Sequence, residues 1–244
     1  MAYENKSNQT KRAANQLRQW IISGEVGGGT RLREIAVADK LMISRTPVRE
    51  AMARLAEEGL LDRIGSGGFV VRSFSIRDAI DSIELRGILE GTAARLAAEE
   101  GVDRDKLDSI RETLILLDGC FLDDTQPLNF ENYSEFNAIF HNQLSDMCTS
   151  GLIRRELERV KSLPFASPSA FVLRQPAGMT AHRLLQIAQQ QHHEIVHAIE
   201  NREGTRAEML AREHARTARA TLLASLDRET EVDAKLPGIG LIVA

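Results

Sequence analysis

Histidines with helical spacing are the residues in this sequence best suited to chemistry. His192 and His214 each lie about eleven residues from a turn at Glu203-Gly204. With a rise of roughly 1.5 Å per residue, two helices folded back at that turn carry both imidazoles at the same height. His192 falls on an apolar stripe with Ala188, Ile195 and Ile199, and His214 on one with Ala207, Ala211, Ala218 and Leu222. Imidazoles at matched height on inward faces can share a metal ion. Each can also be a hydrogen-bonded core histidine with no ligand. Asn137 and His141, four residues apart, share one face of another helix and could join the same centre.

A second histidine pattern competes for the metal. His193-Glu194-Ile195-Val196-His197 spells H-E-x-x-H, in which His193 and His197 would hold zinc and Glu194 would activate water. The alternative function is therefore a zinc metallopeptidase. The same face carries Gln186, Gln189 and Gln190, which reads as polar and solvated, and no downstream third-ligand motif accompanies it.

The other reactive set is basic. In SRTPVREAMARL (44–55), Arg45, Thr46 and Arg49 stand near the start of a helix. Arginine can bind guanine O6/N7 with two hydrogen bonds, and Ser44 and Thr46 can bond phosphates. Ser66-Gly67-Gly68 could bring backbone close to a sugar-phosphate edge. Taken singly, each arginine reads as a solvated surface residue; the ordered set favours DNA. Residues 1–72 carry twelve basic and eight acidic residues (+4), the remainder nineteen and twenty-seven (−8). A basic front on an acidic body suggests that the front alone meets a polyanion.

The elements that must position these residues are mostly helical. The 244 residues are 43% hydrophobic and only 5% aromatic, and alternating apolar runs are rare. Helices are expected at 10–23, 32–41 (Ile35, Ala36 and Ala38 inward) and 44–58, with Ser44 as N-cap and Pro47 in the first turn. A two-stranded hairpin is expected at 60–72. Longer helices follow at 76–100, 103–121, 129–149, 151–163, 181–201 and 204–227, while prolines interrupt 163–180. This divides the chain into a DNA-binding domain at 1–74, a helical domain at 75–230 and a tail at 231–244. The junction Arg72–Ile76 reads as the only covalent route between the two domains. No stretch approaches a membrane span, the start lacks a signal-peptide core, and two cysteines fit a reducing compartment, so the expected location is cytoplasmic.

Three helices followed by a hairpin form the pattern of a winged helix-turn-helix. With L-x-E-x-x-x-A, ISRTPVREAMARLAEEGLL and GSGGFVV, the first part resembles the GntR family of bacterial transcription factors. The resemblance implies that Arg45, Thr46 and Arg49 meet the major groove and that Gly67 lies at the wing. Ile35 stands where some relatives place a DNA-contacting Arg, a loss that Arg33 could offset. RGILEGTAARLAAE (86–99), FNAIFHNQL (136–144) and the spacing of His192 and His214 are similar to the FCD effector domain of the FadR subfamily. Many such domains bind a divalent metal through one Asp and three His. Here His141, His192 and His214 match the histidines, but Asn137 stands at the Asp position.

Three neutral imidazoles and an amide leave the double charge of zinc or nickel uncompensated. A small anionic effector, most simply a carboxylate, could supply the missing ligand, with Arg86 pairing to it or to Glu90. LPFASPSAFV and PGIGLIV resemble the VanR-like branch, whose members answer to aromatic-acid catabolism. The expectation is a dimeric repressor that binds operator DNA and is released by such an effector.

Overall fold

A computed structural model of the chain describes residues 2–65, 67–121, 129–163, 165–169, 179–226 and 241–242. The fold is mainly helical, with two compact units. One comprises Met1–Ala79, Ser162–Pro164 and Pro237–Ala244; the other comprises Ile80–Lys161 and Phe165–Leu236.

In the first unit, α1 (Ala2–Ile22) buries Ala13, Ala14, Leu17 and Ile21. It packs on α3 (Arg45–Glu57), which buries Val48, Ala51, Met52 and Leu55. Each fully buried Leu, Ile or Met contributes about 1.5–3 kcal/mol, so this face largely holds the helices together. The shorter α2 (Glu34–Leu41) also packs on α3. Gly59, at φ +80°, turns the chain out of α3, and Leu60 N–H donates to Leu55 O at 2.9 Å. Ser44 does occupy the N-cap, extended, but its side chain makes no capping hydrogen bond.

Three details differ from the sequence-based expectation. The sheet has three strands, not two: β1 (Arg31–Leu32), β2 (Leu61–Arg63) and β3 (Phe69–Val71), in the order β1-β3-β2, all antiparallel. Two residues give no alternation to detect, so β1 reads as the start of a helix. It forms because Leu32 is buried opposite Phe69. In α2, Val37 and Ala38 face inward, while Ile35 (57% exposed) and Ala36 face solvent. Four successive apolar residues allow either face, and contact with α3 selects the later pair. Finally, α1 begins at Ala2 rather than near residue 10.

The second unit is a bundle. It contains most of α4 (Ile76–Glu100), then α5 (Arg104–Gly119), α6 (Phe130–Met147), α7 (Gly151–Lys161), α8 (Met179–Glu200) and α9 (Gly204–Leu226). Helices α8 and α9 form a hairpin whose turn includes Arg202 at φ 62°. Gly87 and Gly91 let α4 lie against α9: a Cβ at Gly87 would sit 2.7 Å from Ala215 Cβ, and one at Gly91 2.9 Å from Glu208 O. The core includes Leu114, Leu117, Tyr133, Phe140, Leu144, Ile195 and Ile199.

The chain returns to the first unit after α9. Leu241 is buried, Phe74 N–H donates to Leu241 O at 2.6 Å, and Phe74 and Ile242 form a parallel bridge. Residues 162–164 also belong to the first unit, so Arg72–Ile76 is not the only covalent route between the units. Most of the interrupted segment and tail that suggested the VanR-like branch lies outside the described residues. No described helix is long and apolar enough to cross a membrane.

Candidate functional site

At the start of α3, Ser44, Arg45, Thr46 and Arg49 are all exposed, as is Arg33 before α2. Glu34, the first residue of α2, joins the two arginines: Arg49 Nε donates to its Oε1 at 3.1 Å and Arg45 Nη2 to its Oε2 at 3.5 Å. Gly67 and Gly68 turn the β2–β3 loop at φ +89° and +100°, a region open to glycine at no steric cost. Arg31 Nη2 donates to Gly67 O at 3.2 Å, tying the loop to β1. Ser66, also expected to meet DNA, lies outside the described residues.

In the second unit, α6, α8 and α9 bring His141, His192 and His214 together, all three buried. His192 Nε2 lies 3.1 Å from His214 Nε2, and His214 Nε2 lies 3.3 Å from His141 Nε2. Among the described residues, this is the only group of three or more His, Cys, Asp or Glu with ligand atoms within 4.8 Å of one another.

Hydrogen bonds on the far side of each ring set its tautomer. His141 Nδ1 lies 2.9 Å from Glu90 Oε1. Burial raises the Glu90 carboxyl, but His141, Arg86 and Lys161 outweigh it and hold the group well below the usual carboxylate range. An ionised carboxylate only accepts, so His141 Nδ1 carries the proton. Gln189 Nε2 donates to Leu114 O (3.3 Å) and Asp118 Oδ1 (2.7 Å), which turns Gln189 Oε1 to accept from His192 Nδ1 at 3.0 Å. Gln191 Oε1 accepts from His214 Nδ1 (3.1 Å) and Thr217 Oγ1 (3.2 Å).

Burial lowers the pKa of all three histidines, His192 well below its ordinary value and His214 to about 3, so they are neutral at neutral pH. Three unprotonated Nε2 atoms therefore face one another. Lone pairs that close repel unless a cation lies among them. Zn–N bonds of about 2.0–2.1 Å in a tetrahedron put nitrogens about 3.3 Å apart, and the two short separations fit that edge. The donor set suits a divalent cation.

Beside the histidines lies a cavity of about 40 Å³, lined by Arg86, Tyr133, Asn137, His214, Thr217 and Leu185 among others. Arg86 is buried; its Nη1 donates to Ala166 O at 3.2 Å and its Nε lies 3.5 Å from Glu90 Oε2. Among the described residues, its Nε and the Tyr133 hydroxyl are buried without a hydrogen-bond partner. Asn137 is buried too. Its Nδ2 donates to Ser169 Oγ at 3.2 Å, and Ser169 Oγ donates to Ser134 O at 2.9 Å, so the amide oxygen is the end turned away from Ser169.

The H-E-x-x-H residues His193, Glu194 and His197 line one surface pocket, but among the described residues they are not a group whose ligand atoms gather within 4.8 Å. His193 contacts Asp118 at 2.9 Å, Glu194 pairs with Arg206, and His197 is exposed beside Asn201. The glutamines near them are not uniformly solvated, because Gln189 is 5% exposed.

Residues 81–217 match the family model for the FCD domain, and residues 9–71 match that for bacterial regulatory proteins of the gntR family. The chain belongs to the GntR family, with an FCD domain. The Nta operon transcriptional regulator of Aminobacter aminovorans is 40% identical over 77 residues, which cover 32% of this chain and 37% of that one. Escherichia coli GlaR, an HTH-type transcriptional repressor, is 24% identical over 203 residues, 82% of this chain and 90% of its own. The solved structure of E. coli McbR/YncC superposes with a TM-score of 0.66 at 20% identity, covering 89% of this chain and 98% of that one, and shows the shared fold. The aligned stretch thus spans little more than a third of the Nta operon regulator's length.

Sequence reasoning missed several residues of this GntR–FCD chain. Glu90 was legible only as an ion-pair partner for Arg86, and its bond to His141 depends on how α4 and α6 are rotated. Gln189 and Gln191 stand three and one residues before His192 in sequence, but nothing there tells which amide reaches which ring.

Proposed function

We propose that this chain is a ligand-responsive repressor. Arg45 and Arg49 read bases in operator DNA, and Ser44, Thr46, Arg33 and the 66–67 loop meet its backbone. His141, His192 and His214 hold a divalent cation, zinc or nickel by donor type, beside a cavity for a small anionic effector. The domain limits proposed are 1–74 and 75–230, with a tail at 231–244, and the working form is a homodimer on a two-fold operator. The observation that carries the metal assignment is the convergence of three Nε2 lone pairs.

The bound cation would supply positive charge able to hold an oxygen ligand. Around it the protein adds almost none of the opposite sign: the histidines are neutral, Asn137 is neutral, and Arg86 offsets Glu90. A carboxylate effector balances that charge, and Arg86 Nε and Tyr133 Oη are buried donors positioned to orient it. Lys161, bonded to Ser145 Oγ and His141 O, braces α6.

Metal analysis of the purified chain tests this. His192→Ala and His214→Ala should abolish bound metal, while His193→Ala and His197→Ala should leave it unchanged. The opposite pattern would overturn the assignment. For DNA, Arg45→Ala or Arg49→Ala should each cost about 1–3 kcal/mol at a specific site; unchanged affinity in both would remove them as base readers.

A further inference from the structure

We propose that Glu34 is a positioning residue for DNA recognition: its carboxylate fixes Arg45 and Arg49 and gives up general DNA affinity for sequence discrimination. This rests on the reading of those arginines as base readers. Arg45 and Arg49 are four residues apart on one face of α3, so two like charges are neighbours there. Left alone, their side chains would repel and sample many rotamers. Glu34 reaches both from α2, through Oε1 to Arg49 Nε and Oε2 to Arg45 Nη2.

The exposures differ as this role requires. Glu34 is 19% exposed, whereas Arg45 and Arg49 are 59% and 61% exposed. The carboxylate is tucked in and the guanidinium groups project. Because Arg49 is gripped through Nε, both its terminal nitrogens stay available for the two-bond contact that distinguishes guanine. The backbone behind Glu34 is fixed as well: Arg33 is extended (φ −100°, ψ 128°), and Leu32 pairs with Phe69 in the sheet. The clamp is therefore anchored to both the sheet and α2.

A carboxylate at this surface also has a cost. It repels every phosphate equally and so weakens binding to any sequence. Holding two arginines in one arrangement before DNA arrives removes the ordering penalty only where the bases match that arrangement. The net effect is discrimination rather than affinity.

The test uses the full chain and a pool of random-sequence duplexes. The duplex enriched by the native chain, and a scrambled version of it, are titrated with the native chain and with the Glu34→Gln, Glu34→Asp, Arg45→Ala and Arg49→Ala variants. Circular dichroism checks folding. Glu34→Gln should bind the scrambled duplex at least as tightly as the native chain, while its preference for the enriched duplex falls about tenfold or more. Glu34→Asp, which keeps the charge at shorter reach, should lie between the two. A preference within about twofold of native, or an equal loss on both duplexes, would overturn the proposal. So would a change confined to one base pair on reselection, which would make Glu34 itself a reader accepting from cytosine N4. If the two arginine variants keep the native preference, the base-reader reading fails instead.

Discussion

At residue 137 this chain places an amide where the FCD resemblance leads one to expect a carboxylate. An amide oxygen is neutral and weakly basic, so a cation on the three histidines keeps its charge for an incoming anion. Asn137→Asp should therefore tighten zinc binding by on the order of tenfold. It should also weaken a carboxylate effector, since two anions would then compete for one cation. Titration against a chelating indicator, with and without a panel of carboxylates, measures both effects; unchanged zinc affinity would place residue 137 outside the cation's reach. The meeting of His192 and His214 was legible because helical rise alone sets their height. The tautomer-setting partners were not. Gln189 reads as part of a solvated face yet is buried, because a glutamine suits water and a closed hydrogen-bond network equally well.

At the scale of elements, the start of α4 shows a local code that folds as written. Ser75 N–H and Ser75 Oγ donate to Asp78 Oδ2 at 2.8 and 2.7 Å, and Asp78 N–H donates back to Ser75 Oγ at 3.1 Å, a reciprocal cap. The Ser75 hydroxyl first, then its backbone N–H and the charge of Arg72, lower the Asp78 pKa below its ordinary 3.8. A carboxyl with a depressed folded pKa adds stability that is complete above its unfolded value and is lost as pH falls through the folded one. Ser75→Ala should cost about 0.5–2 kcal/mol at neutral pH in chemical denaturation, with the difference shrinking below pH ~3.8. An unchanged midpoint would mean the cap carries no weight. The long helices were legible for a related reason, since each has its own apolar period and clear stops. Strand β1 was not: with two residues, it exists only through Leu32 meeting Phe69 across the sheet.

For the whole molecule, an effector can release DNA only if it binds better to the arrangement that holds DNA poorly. The coupling must then be reciprocal: whatever factor the effector takes from operator affinity, saturating operator must take from effector affinity. Titrating a carboxylate that shifts the melting temperature, with and without the enriched duplex, should return equal factors. An apparent effector affinity that keeps falling as operator concentration rises, without levelling off at a fixed factor, would point instead to direct competition at the DNA surface. Neither unit is a single stretch of sequence, since the first is assembled from three separated segments. That has a consequence for engineering. A hybrid regulator made by transplanting residues 1–79 onto another sensor would leave Phe74 without the Leu241 carbonyl and without the Ile242 bridge. The portable DNA-reading module of this chain is a beginning and an ending carried together, and a splice that respects only one of them should yield a poorly stable chimera.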